Sequence, residues 1–402
     1  VGAFDPPEGN PYRAIKTGVL DSFEHKALAL SAAREAVVLL ENVNKTLPLK
    51  LQDNVAVIGP MADYADVMMG DKQDYHPSSI TTILRGIATL LKQGGFSSPN
   101  YAKGCNVTGQ DVDREEQKQA VRLASAARVT IVCVGIDGTI EGETVDRNGI
   151  GLPFVQLSLL QAIVSSSRGK VIVLLVNGGP LSVDWLKDAV AQQRVHGVLD
   201  ALEGGQSAGQ AVAEVIFGQI NPSGMLPFTL YSEDYVKLVD MSDMSMHSSA
   251  TSPGRTYRFY SGTPLWPFGH SLSYTTFSLQ WAKTPVSKVF SEEANKLTWH
   301  ATITNTGDRS GAKTVLAFAG PADDLPRPSL FALQKVFLHR GQTAQLIFSA
   351  DEDDWCPLCT VSEEGVRAVR SGTYIVRIGG DGFTDSCGTD QLCVISTVTI
   401  ST

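Results

Sequence analysis

Between residues 136 and 153 the chain reads IDGTIEGETVDRNGIGLP, and Asp137, Glu141, Glu143, Asp146 and Arg147 all fall within that one tract. Carboxylates are common general acids and bases. Crowding them raises their pKa values, whereas a neighbouring arginine lowers them. Such a set can hold one acid protonated near neutral pH, the state needed to donate a proton to a leaving group. A solvated acidic loop has the same composition, so charge density alone leaves both readings open.

A second constellation lies at Gly205–Gly209, GQSAG, which fits the G-x-S-x-G nucleophile elbow between a strand-like and a helix-like tract. Ser207 would be its nucleophile, with His247 or His270 as the base. No HGGG-like tract precedes it to form an oxyanion hole, and small residues at such a turn also serve close packing. His25, on a helix, and His300, in a β-like region, have no partner at metal-ligand spacing. Neither a metal nor any other cofactor is expected.

The elements that must position these residues follow from hydrophobic periodicity. Val55–Gly59, Val129–Gly135, Val171–Val176 and Val195–Leu199 are apolar throughout. That pattern predicts strands buried on both faces, as in a parallel sheet with helices on each side. Helices are predicted at Thr81–Lys92, Arg114–Ala126, Phe154–Ser165 and Ala208–Phe217. The acidic tract therefore follows a central parallel strand, where ligands bind in open α/β sheets. Residues 12–42 read as a mostly helical lead-in with a capping-box-like start at Ser22. Residues 236–276, rich in Ser, Pro, Gly and aromatics, predict an ordered connector, because the aromatics need burial. Beyond it, LTWHATITNTG, TVLAFAG, QTAQLIFSA and GTYIVRIGG predict an all-β sandwich. The organisation expected is a lead-in over 1–53, an α/β sandwich over 54–235, the connector over 236–276 and a β-sandwich over 277–402.

Bulk composition narrows the function classes. Of 402 residues 43% are hydrophobic and 19% charged, and Lys+Arg total 33 against 42 Asp+Glu, a net charge of −9. That balance argues against nucleic acid or an anionic membrane surface as partner, and no apolar run is as long as the ~20 residues of a membrane span. VGAFDPPEGNPY lacks a signal-peptide pattern and has no initiating Met, so it predicts a fragment or processed chain. Cys133, inside VTIVCVG, reads as a buried thiol. Cys356 and Cys359 form a C-x2-C, and Cys387 and Cys393 lie near the end. The spacing of the second pair does not suit zinc, and two local disulfides are expected. Asn44 and Asn106 head glycosylation sequons. Together these predict a secreted or lumenal protein.

Several tracts, in order, resemble the C-terminal half of glycoside hydrolase family 3, in particular its β-xylosidase and α-L-arabinofuranosidase branch. VGAFDPP resembles the segment after that family's N-terminal barrel, and SAAREAVVLLENVNKTLPL its linker helix. VAVIGPMAD resembles the first sandwich strand and IDGTIEGETVDRNGIGLP the acid/base loop. AVAEVIFGQINPSGMLPFT, GRTYRFY and PFGHSLSYTTF resemble the signature tracts leading into a fibronectin type III-like domain. The resemblance implies a retaining exo-glycosidase in which a barrel aspartate attacks the anomeric carbon. A glutamate on the sandwich loop protonates the leaving group as it departs and then activates water, with the two carboxyls about 5–5.5 Å apart.

The resemblance puts the acid/base at Glu143, three residues before Asp146-Arg147 as in the form Gly-Glu-Gly-x-Asp-Arg, with Glu141 as second choice. Asp146 and Arg147 are expected to brace the loop or contact sugar. The nucleophile must then come from a separate N-terminal barrel chain acting on a carbohydrate substrate. A non-catalytic carbohydrate-binding or structural module of the same descent is the alternative. Glu41 stands where the family has Lys, the tract over residues 70–75 is GDKQDY, and His270 replaces a small or aromatic residue.

Overall fold

The computed structural model describes residues 4–70, 77–283, 289–290, 296–322, 326–351, 358–361, 365, 367–369, 371–382 and 392–400. Cys356, Cys387 and most of the GDKQDY tract lie outside them.

The first domain is built on a six-stranded sheet ordered β1-β6-β5-β4-β2-β3. Its strands are β1 (Val38–Asn42), β2 (Val55–Ile58), β3 (Asn100–Ala102), β4 (Val129–Gly135), β5 (Lys170–Val176) and β6 (Gly197–Asp200). All neighbours run parallel except β1, which pairs antiparallel with β6. The expected central strands are present, because VTIVCVG and KVIVLLV bury both faces. Val132 and Val134 pack into one core, with helices α3 (Arg114–Ala126), α4 (Phe154–Ser166) and α5 (Asp184–Ala191). Ile131 and Cys133 pack into the other, with α2 (Ile83–Gln93) and α6 (Ala208–Ile216). Cys133 is a free, fully buried thiol, as its run implied.

The lead-in differs from expectation. Helix α1 (Phe23–Ala36) starts at Ser22, whose Oγ accepts from the His25 N–H at 3.3 Å. It stops at Ala36, and VLLEN is strand β1 rather than helix. Val38, Leu39 and Leu40 are all buried and face alternately into the two cores, with Val38 and Leu40 in one and Leu39 in the other. Only an extended segment can serve both faces in this way.

Within the connector Trp266 and Tyr260 are buried, as is Tyr235 just ahead of it. Glu41, the departure from the family's Lys, accepts from Trp266 Nε1 at 2.9 Å and pairs with Lys187 at 2.7 Å. His270 Nε2 lies 2.9 Å from Leu40 O on β1.

The second domain is a sandwich of antiparallel sheets. One sheet, with a short parallel edge strand, is ordered β11-β10-β15-β16-β8 and the other β12-β9-β7. The strands are β7 (Phe277–Trp281), β8 (Val289–Phe290), β9 (Lys296–Asn305), β10 (Gly311–Pro321), β11 (Ser329–Leu338), β12 (Thr343–Asp351), β15 (Gly372–Gly379) and β16 (Cys393–Ile400), with a small separate pair β13 (Cys359–Val361) and β14 (Arg367–Val369). Trp299, Phe348, Val376 and Val398 share the core between the sheets. Cys393 is disulfide-bonded. Among the described residues no helix is long and apolar enough to cross a membrane.

Candidate active site

The acidic loop leaves the sheet at Gly135, and its exit is fixed by one buried side chain. Gln156, fully buried on α4, accepts from Gly135 N–H at 2.8 Å and donates to Gly135 O and Val107 O, both at 2.7 Å. The amide thus continues the ladder on the side of β4 where the pairing with β2 has ended. Asp137 then makes a knuckle. Its carboxylate accepts from Thr139 N–H at 3.0 Å, Thr139 Oγ1 at 2.6 Å and the Tyr64 hydroxyl at 3.2 Å. Its carbonyl accepts from the N–H groups of Ile140 and Glu141. Burial, then the Asp137 charge, raises the Tyr64 pKa. Asp137 is therefore a structural carboxylate.

Beyond the knuckle, Gly142 and Val145 exchange both backbone hydrogen bonds, at 3.0 and 3.1 Å. Glu143 and Thr144 are left as the two-residue tip of a miniature hairpin, with Thr144 in the left-handed region at φ 69°. Glu143 and Asp146 are exposed. Glu141 differs, because its carboxylate is paired with Arg147 Nε and covers the α-carbon of Gly179, where a Cβ would overlap it. Arg147, with a side chain only 10% exposed, also donates to Pro180 O and Ile150 O. The brace between this loop and the loop after β5 is carried by Arg147. The structure thus separates the two glutamates, one clamped and one at the tip.

Other strand ends bring residues to the same edge that sequence reasoning did not name. After β5, Asn177 donates to Gly179 O at 2.9 Å, and its Oδ1 is buried without a partner. At the end of β6, Asp200 is 1% exposed, and burial pushes its carboxyl up to about 6 despite the Leu202 N–H at 3.0 Å. The Glu203 carboxylate lies over Gly178 and Gly70, with oxygens 2.9 and 2.7 Å from where their β-carbons would sit. They come from two different loops, those after β5 and β6, so only the strand-end rule applied to every strand would have found them.

The GQSAG tract has a packing role. Gly209 on α6 and Gly86 on α2 face one another, and a Cβ on Gly209 would overlap Thr82 O while one on Gly86 would overlap Gly209 O. Ser207 makes no hydrogen bond to His247 or His270, whose ring rests near Phe259 and bonds Leu40 O respectively. Among the described residues no cluster of His, Cys, Asp or Glu is arranged to hold a metal.

Residues 37–274 match the glycosyl hydrolase family 3 C-terminal domain. Beta-D-xylosidase 1 of Arabidopsis thaliana is 35% identical over 417 residues, covering 94% of this chain and 51% of that protein. A beta-xylosidase/alpha-L-arabinofuranosidase of Medicago sativa subsp. varia is 32% identical, with coverage of 94% and 51%. A solved family 3 exo-β-xylosidase bound to a xylobiose aziridine probe superposes with a TM-score of 0.84 at 28% identity, over 98% of this chain and 51% of that one. The chain spans about half the length of the relatives it matches. It belongs to glycoside hydrolase family 3, of which it carries the C-terminal α/β domain followed by a β-sandwich.

Proposed function

We propose that this chain supplies the general acid/base of a retaining, β-xylosidase-like exo-glycosidase, and that Glu143 is the group that does it. The observation carrying this reading is position. Glu143 stands exposed at the tip of a hairpin held at the carboxyl end of a central strand, while Glu141, beside Gly179, pairs with Arg147. In this reading Glu143 protonates the leaving oxygen of a terminal non-reducing sugar and then deprotonates the water that releases it. The nucleophile is an aspartate of the N-terminal barrel. Exposed apolar residues along the N-terminal segment and α1, among them Tyr12, Ile15, Phe23 and Leu28, support a partner docking there. Secretion, glycans on the exposed Asn44 and Asn106, and pairing of Cys356 with Cys359 and of Cys387 with Cys393 belong to the same proposal.

The test uses the chain assembled with its barrel. Glu143→Gln is expected to lower kcat about 10²–10⁴-fold for alkyl xylosides, which need a proton, and far less for aryl xylosides with acidic leaving groups. Leaving-group dependence that follows Glu141→Gln instead would transfer the role to Glu141.

A further inference from the structure

Where the connector meets the β-sandwich, a cavity of about 300 Å³ opens between the two domains. Its polar lining comes from both sides. His270 and Ser271 belong to the connector, Lys313 and Thr314 to β10, and Asp381 to the turn after β15. The rest is apolar side chain, such as Met225 and Leu272, or bare glycine backbone.

Two of these groups have a determined hydrogen-bonding sense. Lys313 Nζ donates to Ser271 Oγ at 3.0 Å and forms no ion pair among the described residues, so two of its three N–H bonds remain for another acceptor. Burial pulls its pKa down to about 8, which keeps it mostly cationic at neutral pH. His270 faces a carbonyl through Nε2, and a carbonyl only accepts, so Nε2 carries the proton. Burial favours the neutral ring and leaves Nδ1 as an acceptor. Asp381 adds acceptor oxygens, and the Ser271 and Thr314 hydroxyls can act either way.

This mixture discriminates between ligand classes. A small anion would be drawn to Lys313 but would meet the Asp381 carboxylate and the His270 lone pair. A cation would meet Lys313. A neutral polyhydroxyl molecule satisfies both kinds of wall, because each hydroxyl donates and accepts while its C–H face rests on the apolar lining. The volume lies at the lower end of the roughly 300–1,000 Å³ of ligand cavities, enough for one or two sugar rings. The place is also separate from the acidic loop. His270 bonds to Leu40 on β1, three strands from β4, which at ~4.8 Å per strand is roughly 14 Å across the sheet.

We propose that this seam is a second carbohydrate site, non-catalytic, in which Lys313, Ser271 and Asp381 hold a neutral sugar unit between the two domains. It does not depend on Glu143 being the acid/base. The test is chemical footprinting of the unaltered 402-residue chain with sulfosuccinimidyl acetate, read by peptide mass spectrometry, with D-xylose, xylobiose or inorganic phosphate present. Either sugar is expected to slow acetylation of Lys313 at least about threefold while leaving the exposed Lys118 unchanged, and to do so equally in Glu143→Gln. In saturation-transfer NMR, Lys313→Met should weaken sugar binding about tenfold. Lys313 acetylation that is indifferent to sugar, or slowed by phosphate alone, overturns the proposal.

Discussion

Thr144 shows how much the loop asks of single residues. It is β-branched yet sits at φ 69°, where a side chain crowds the backbone and glycine is favoured. The family form Gly-Glu-Gly-x-Asp-Arg has glycine at this place. Thr144→Gly should therefore stabilise the chain by up to about 1 kcal/mol, seen as a higher Tm in calorimetry. A lower Tm would mean that the threonine side chain contributes more than its strain costs. Asp200 is a second strained position, electrostatically. Its folded pKa is raised to about 6, above the ordinary carboxylate range, so the native state binds the proton more tightly than the unfolded chain. Stability from this group is fully present below about pH 4 and is lost as pH rises through about 6. Asp200→Asn removes that loss. The variant should be about 1–3 kcal/mol more stable than wild type at pH 7.5, with the gap closing by pH 4 in urea titrations. An equal gap at both pH values would show that Asp200 is not the titrating group.

At the scale of elements, what could be read from sequence depended on burial symmetry. β4 and β5 were legible because strands buried on both faces are apolar throughout. α3 was legible in full, with Asp113 capping the N–H groups of Glu115 and Glu116. β1 was not, because VVLLEN continues directly from SAAREA and a short apolar run suits helix or strand equally. β3, only three residues long with two exposed, carries almost no pattern. α5 is eight residues long, too short for helical periodicity to register. The acidic loop was legible as a charge cluster, but the division between Glu141 and Glu143 was not. That division depends on Gly179 and Pro180, which the fold brings from the next strand. The α2–α6 crossing gives the element-scale prediction. Gly209→Ala places a methyl against Thr82 O, and the chain should lose about 3 kcal/mol or more in denaturant titrations. Ser207→Ala, two residues away, should change stability and turnover little. Loss of turnover without loss of fold in the serine variant would reopen the nucleophile-elbow reading.

At the scale of the whole molecule, the two domains are fastened by polar contacts at several points. Gly382 N–H donates to Phe268 O at 2.7 Å, Arg327 Nη1 to Tyr260 O at 2.7 Å, and Lys335 pairs with Glu35 at 2.8 Å. The sandwich therefore buttresses the connector, whose Tyr260 packs with Tyr231 and Tyr235 against Ile150 of the acidic loop. The start of α1 is open. Phe23 is 82% and Leu28 67% exposed on α1, an apolar face that suits burial by the proposed barrel. Phe23→Ser combined with Leu28→Ser should weaken barrel association at least about tenfold, measured by analytical ultracentrifugation, and leave the Tm of the isolated chain nearly unchanged. Unaltered association would place the contact elsewhere.

The antiparallel strand β1 has a consequence for where this polypeptide tolerates a cut. β1 is contributed by the lead-in, yet it closes the open edge of β6 and lines both cores. A protease acting on the native protein should nick the stretch before α1 readily and leave Val38–Asn42 intact. An expression truncation starting at residue 54 would shed this strand and expose a raw, apolar sheet margin, a template for self-association. The shortest soluble version of the domain should therefore begin ahead of Val37.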